Sequence, residues 1–415
     1  MRNDFAFCDQ DGFEESARYG PGGLCPVKLG DTLGPDCSST PPRYRVTAKL
    51  SYGAYSTVWL ARDLVASSHR KTVALKFVEA SQTPESKESA ILERLRAPSS
   101  APPKSPPPVL QLRDSFRLRS ANGAHQVLVT EPVILLQRLL KLPGFRTSTR
   151  GLVRQAVEGL AFIHGRGIAH GGEWSDRVDL HPSNLGVAIP ELDTFSETDI
   201  WEWCGPPEVM PLVAYDPARD LASFPPYLSQ AVDLGPFLLA NAPGFAEREP
   251  RVRILDLGNA YVAEDSPSPR CNTPIAYAAP EVIFPLVVHN DKDGQWDRHT
   301  DIWSLASTIH EIAGGSRLFS GYGLGAPLLG AMASLCGGAP EAWRQYLATV
   351  PDAGPRTDYN TELADELWKE REERFRKQGE EDAPGLVKLL RRMLVIDPKR
   401  RASASELLQD PYLAL

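Results

Sequence analysis

Asp179 and Asn184, the ends of the run Asp179-Leu180-His181-Pro182-Ser183-Asn184, set a carboxylate and a carboxamide five positions apart among turn-forming residues. Such a pair suits phosphoryl transfer: the carboxylate orients a hydroxyl and accepts its proton, and the amide oxygen helps hold a magnesium ion. The same residue types build ordinary surface loops, so the pair gains meaning only from its flanks. Upstream, Lys76 stands inside the apolar run KTVALKFVEA, where a lysine ordinarily snorkels or marks an edge strand. Glu88 lies one turn before Leu92 in the helical pattern ESKESAILERLRAP, and alone it reads as a solvated helix charge. Packed beside the lysine strand, it would instead pair with Lys76 and point the ammonium at phosphate oxygens. Downstream, VRILDLGNA ends a short strand on Asp256-Leu257-Gly258, which by itself is a common turn.

The elements that must position these residues follow from pattern. A chain of 415 residues with 42% hydrophobic content has core enough for two packed lobes. Its net charge of -8 argues against direct nucleic-acid binding and suits a basic peptide or protein partner. Cys8, Cys25, Cys37, Cys204, Cys271 and Cys336 form no CxxC pair and no metal-ligand spacing, which fits reduced thiols inside the cell. No secretory pattern opens the sequence, and no apolar run reaches membrane-spanning length, so no membrane partner is expected. Residues 1–41 are rich in Gly, Pro, Ser and Asp and read as irregular except where they dock. Residues 43–63 read as two strands joined by a turn at Ser51 to Ala54, and further strands follow at KTVALKFVEA, LQLRDSFRLRS and HQVLVTEPVIL. The proline-rich stretch 98–108 reads as a stiff connector. Near residue 130 the architecture changes from strands to helices: residues 150–165 carry helical spacing and deliver the chain to His170. Residues 186–250 are dense in Pro, Asp and aromatics and read as an insertion with short ordered pieces. Asp301 reads as the cap of a helix whose apolar face is Ile302, Leu305, Ile309 and Ile312.

The order of these signals says more than any one of them. A glycine-containing strand turn, a strand lysine, a helical glutamate, D-x-x-x-x-N, D-L-G, A-P-E, D-x-W-S and D-P-x-x-R occur once each, in the sequence of the protein-kinase signature set. The chain resembles the eukaryotic protein kinases and is most similar among them to the SR-protein kinases, through GGLCPVKLGD, KLSYGAYSTVWLARD, DLGNA and the long spacer before DLG. That resemblance implies an α+β bilobal fold. Residues 42–133 would form the β-rich N-lobe and 134–415 the helical C-lobe, with the extension 1–41 partly docked and the spacer near 186–250 inserted. It also implies a monomeric Ser/Thr kinase of the cytoplasm or nucleus, using ATP and Mg2+ on a protein substrate rich in Arg and Ser.

Residue by residue, the resemblance makes Asp179 the catalytic base and Lys76, held by Glu88, the contact to the inner phosphates. Ser51 and Gly53 would cover the nucleotide, Val58 and Ala74 would pack on adenine, and Glu131 and Val133, after Thr130 at the gatekeeper position, would offer hinge groups. Asn184 and Asp256 would hold magnesium. Glu281 and Arg401 resemble a structural ion pair, and Asp301 would fasten the catalytic loop from below.

The departures are specific. Ser51 replaces the first glycine of the nucleotide loop, His181 replaces a lysine two residues after the base, and Gly171 replaces an arginine. Residues 172–178 separate His170 from Asp179, making Asp176 a rival base, and Thr273 to Glu281 runs one residue long. These departures keep two alternatives open: a pseudokinase scaffold that binds ATP, and a small-molecule phosphotransferase.

Overall fold

The computed structural model describes residues 11–35, 41–66, 71–84, 86–97, 106–171, 180–216, 218, 220–262, 275–291, 296–350 and 359–414. The first lobe is a six-stranded antiparallel sheet in the order Thr32–Leu33, Tyr44–Tyr52, Ser56–Asp63, Thr72–Val78, Gly123–Thr130, Leu112–Ser120. Side chains alternate across a strand, so its two faces do different work. Register places Val58 opposite Lys76, and Ala74 opposite Thr130. On the other face Trp59, Ala61, Val73, Leu75, Phe77, Val127 and Val129 form a buried cluster. Each large apolar side chain there contributes roughly 1.5–3 kcal/mol. The helix Glu88–Arg96 buries Ile91, Leu92 and Leu95.

The run HQVLVTEPVIL is two strands rather than one, Gly123–Thr130 and Val133–Leu135, with Glu131 and Pro132 between them. Pro132 has no N–H for a ladder, and there the chain leaves the first sheet for a second. That second sheet has the order Val252–Ile254, Leu185–Ala188, Val133–Leu135 and opens the helical lobe.

At the centre of the helical lobe lies Arg298–Gly314, in which Thr300 through His310 are all buried. The helix therefore has no solvent face opposite Ile302, Leu305 and Ile309, contrary to the single apolar stripe expected. Its cap also differs: Asp297, not Asp301, accepts from the N–H groups of His299 and Thr300. An N-cap carboxylate must precede the first turn to reach those amides, whereas Asp301 is already inside it. Arg401, fully buried at its side chain, donates to both carboxylate oxygens of Glu281 at 2.8 and 2.9 Å. No helix among the described residues is long and apolar enough to cross a membrane.

Residues 11–33 and the described parts of 189–232 both pack on the first lobe. Cys25 and Val27 cover the outer face of the six-stranded sheet. Tyr19 and Leu24 share a smaller core with Met210, Leu212 and Leu228 of the hairpin Val209–Pro211 and Tyr227–Ser229. Asn122 joins the two segments, its amide donating to the carbonyls of Leu24 and Ser223 at 2.7 and 2.8 Å. Closer to the hinge, Asp193 accepts from the Thr72 N–H at 2.8 Å and Glu197 pairs with Arg45 at 2.9 Å. The aromatics of this stretch pack on one another, Phe195 and Trp203 both lying edge-on to Phe237.

Candidate active site

A cleft of about 1170 Å³ separates the two lobes. Ser51, Gly53, Val58, Ala74, Lys76, Glu88, Thr130, Val133, Asn184 and Asp256 all line it. Lys76 and Glu88, from consecutive elements, meet there Asn184 and Asp256 from much further along the chain. Antiparallel register sets Val58, Ala74, Lys76 and Thr130 on the cleft side of the first sheet.

Lys76 is the centre of the arrangement. Its Nζ lies 2.7 Å from Glu88 Oε2 and 3.4 Å from Asp256 Oδ1. Burial favours the neutral amine, but Glu88 and Asp256 outweigh it and raise the Lys76 pKa. Lys76 in turn holds the Asp256 carboxyl below the ordinary carboxylate range, against the effect of burial. Burial pushes Glu88 the other way, upward, with Lys76 and the Leu257 N–H pulling against it. Glu88 is the first residue of its helix, where the positive end of the backbone dipole favours a carboxylate. Asp256 has a left-handed backbone, φ 57°, a conformation Asp tolerates better than bulky residues.

On the floor of the cleft, Asn184 is buried and its carbonyl accepts from the Leu255 N–H at 2.8 Å. The adjoining turn is tied to both sides: Gln137 donates to Ser183 Oγ at 2.6 Å, and the Thr308 hydroxyl donates to the Leu180 carbonyl. His181 Nδ1 accepts from the Ser183 N–H at 3.1 Å, so the neutral ring carries its proton on Nε2. His170 is fully buried, its Nε2 3.0 Å from the Leu255 carbonyl. Asp301 accepts from the N–H groups of His170 and Gly171 at 2.8 and 3.3 Å, from His164 Nε2 at 2.8 Å and from Trp296 Nε1 at 2.7 Å. Asp179, Asp176 and the rest of 172–179 lie outside the described residues.

Glu131 turns away from the cleft. Its carboxylate pairs with Arg253 at 2.6 Å and accepts from the Gln111 N–H at 3.1 Å, while Val133 remains in the lining. Nothing near Arg253 in the sequence pointed to this lock, because the partner is 122 residues away. His164 and Trp296 were likewise missed, since each is read locally as an amphipathic helix residue or an isolated aromatic.

The departure at Gly171 has a steric cause. Its φ is +76°, and a Cβ there would stand 2.3 Å from the Asn259 carbonyl oxygen, so no arginine fits this backbone.

Residues 244–413 match the family described as protein kinase domain. Over 96% of its length the chain is 26% identical to a serine/threonine protein kinase of Aspergillus fumigatus, of which it covers 90%. The chain is similar to the protein kinases in sequence and in fold. The kinase is also 28% identical to serine/threonine-protein kinase SRPK of Physarum polycephalum, over 97% of this chain and 91% of that one. Similarity to human SRSF protein kinase 3 is 28% identity over 52% of this chain and 36% of the relative. The fold matches a crystal structure of a kinase domain with a TM-score of 0.59 at 16% identity, covering 94% of this chain and 99% of that one. By these relationships it is a protein serine/threonine kinase similar to the SR-protein kinases.

Proposed function

We propose that this kinase transfers the γ-phosphate of ATP, with Mg2+, to serine or threonine hydroxyls of Arg/Ser-rich proteins. The observation that carries the reading is Lys76 held between Glu88 and Asp256 in the interlobe cleft. The cleft fits the nucleotide chemically. Val58 and Ala74, both in the lining, would supply apolar walls for a base, and the backbone groups of Val133 and Glu131 would read its edge. The backbone of Ser51 and Gly53 would close over phosphates. Asp256 and Asn184 would hold magnesium. One carboxylate and one amide suit an ion that keeps water and phosphate as its other ligands, as magnesium does, rather than a cage of protein side chains. ATP supplies the transferable phosphoryl group. Lys76 would neutralise its inner oxygens, Asp179 would orient the attacking hydroxyl and take its proton, and His181, in the cleft lining, would face the transferring phosphate. The substrate class rests on the likeness to relatives named as SRSF protein kinases and on the acidic net charge of -8. A monomer working in the cytoplasm or nucleus belongs to the same proposal, checked by light scattering and cell fractionation.

The test is transfer from radiolabelled ATP to an Arg/Ser peptide, a general basic protein and amino alcohols, with Asp179→Ala as control. Label on the peptide that disappears in the control supports the reading. ATP binding without transfer would make the chain a pseudokinase scaffold, and label on amino alcohols a small-molecule phosphotransferase. A chain lacking 172–178, run in parallel, reports what that stretch does to turnover.

Gly171 carries a second expectation. With no arginine beside His170 to meet a phosphorylated activation segment, and with Lys76–Glu88 paired at 2.7 Å, activity is expected to survive treatment with a broad phosphatase. Its loss after treatment would contradict this.

A further inference from the structure

Lys49 lies wholly inside the protein, four residues before Gly53 on the strand Tyr44–Tyr52. Its Nζ sits 5.4 and 5.2 Å from the ring centroids of Tyr52 and Trp59. The carboxylate that meets it is Glu14 of the N-terminal extension, itself buried and fixed by the Tyr19 hydroxyl, which donates to Oε1 at 2.7 Å. Burial lowers the Lys49 pKa and Glu14 opposes that effect. An ammonium at this depth is tolerated only with such a partner.

The place where this pair sits gives it a consequence for the site. Pairing between the strands Tyr44–Tyr52 and Ser56–Asp63 is irregular between Lys49 and Ser51, and such a bulge interrupts the ladder and bends the strand. Leu50 to Ala54, the residues beyond the irregularity, line the cleft. On its outer side the Lys49 carbonyl accepts from the Val232 N–H at 2.8 Å. The root of the nucleotide-covering loop is therefore held from outside the lobe's own ladder, by Glu14 through the side chain and by Val232 through the backbone.

We propose that Glu14 is a positioning residue for nucleotide binding, holding through Lys49 the strand that carries the nucleotide-covering loop. This rests on the kinase reading above and adds to it a residue remote from the cleft. Glu14→Gln is expected to raise KM for ATP about tenfold, equivalent to ~1.4 kcal/mol, with kcat and the peptide KM little changed. Lys49→Met removes the buried charge at similar volume and is expected to give the same rise, carrying the test should Glu14→Gln not fold. The double variant is expected to be no worse than either single one, because the two residues act as a unit. An unchanged KM for ATP in a variant that melts like the wild type overturns the proposal. So does a fall in kcat at constant KM, the signature of a smaller folded fraction. Direct titration with ATP keeps the two proposals apart. A wild type that binds ATP but transfers nothing removes the transferase reading and leaves Glu14 to be judged on Kd, whereas a wild type that binds no ATP removes both.

Discussion

Lys76→Met is expected to cut phosphoryl transfer by about a thousandfold while the chain stays folded, the upper end of what loss of one preorganised charge costs. Methionine keeps the unbranched stem and so the packing against the first sheet, but it removes the cation that both Glu88 and Asp256 face, at 2.7 and 3.4 Å. Two effects follow. The inner phosphates lose their counter-charge, and Glu88, only 4% exposed at its side chain, is left as a buried carboxylate with its main partner gone, which favours its protonation or the outward swing of its helix. The first effect lowers kcat and the second lowers affinity, so kcat is expected to fall far more than ATP affinity, which should weaken by about tenfold at most. Arginine at the same position is expected to rescue little, since a planar fork cannot take the place of a compact ammonium between two carboxylates. The measurement is single-turnover transfer beside ATP titration. A Lys76→Met chain retaining more than about a tenth of the wild-type rate would remove Lys76 from the reaction.

How much of this was legible in sequence depended on distance along the chain. Alternation in KTVALKFVEA put Ala74 and Lys76 on one face of a strand, and helical spacing after it put Glu88 within reach, so the Lys76–Glu88 pair could be anticipated from two neighbouring elements. The order of the signature elements, rather than any single pattern, singled out Asn184 and Asp256, which also line the cleft. The mistaken cap shows the opposite case. An Asp near the start of a helix is ordinarily a cap, and only tertiary structure shows that Asp301 faces inward to four donors while Asp297, four residues earlier, caps the helix. The buried hydroxyls of Thr300, Ser304, Ser307 and Thr308 also read as a polar face until the helix is seen surrounded on all sides. Glu131 was read for its backbone, and the salt bridge that turns its side chain toward Arg253 had no local trace. The aromatics of 186–250 signalled ordered pieces, but not that those pieces return to the first lobe and meet Lys49 and Thr72.

Asp301→Ala should be the most damaging substitution away from the cleft, because one fully buried carboxylate serves four donors there. Oδ2 accepts from His164 and the His170 N–H, and Oδ1 from Trp296 and the Gly171 N–H. Alanine leaves all four without a partner in a space closed to water. Each orphaned buried donor costs about 1–3 kcal/mol, and partial relaxation brings the expected loss to ~4 kcal/mol, or a fall in Tm of about 5 °C for a chain of this length. Asparagine is expected to recover only part of this, since its NH2 group would confront donors rather than acceptors. The effect on turnover should exceed the effect on stability. His170 and Gly171 are the last described residues before the stretch that carries Asp179, and His170 also contacts the Leu255 carbonyl, one residue before Asp256. Releasing that anchor loosens the proposed base and the proposed metal ligand together, and a misplacement of about 1 Å costs roughly a hundredfold in rate. Assays well below the lowered Tm separate the two effects. If the variant then transfers phosphate within about twofold of the wild type, Asp301 is a stability residue alone, and the fastening of the catalytic loop lies elsewhere.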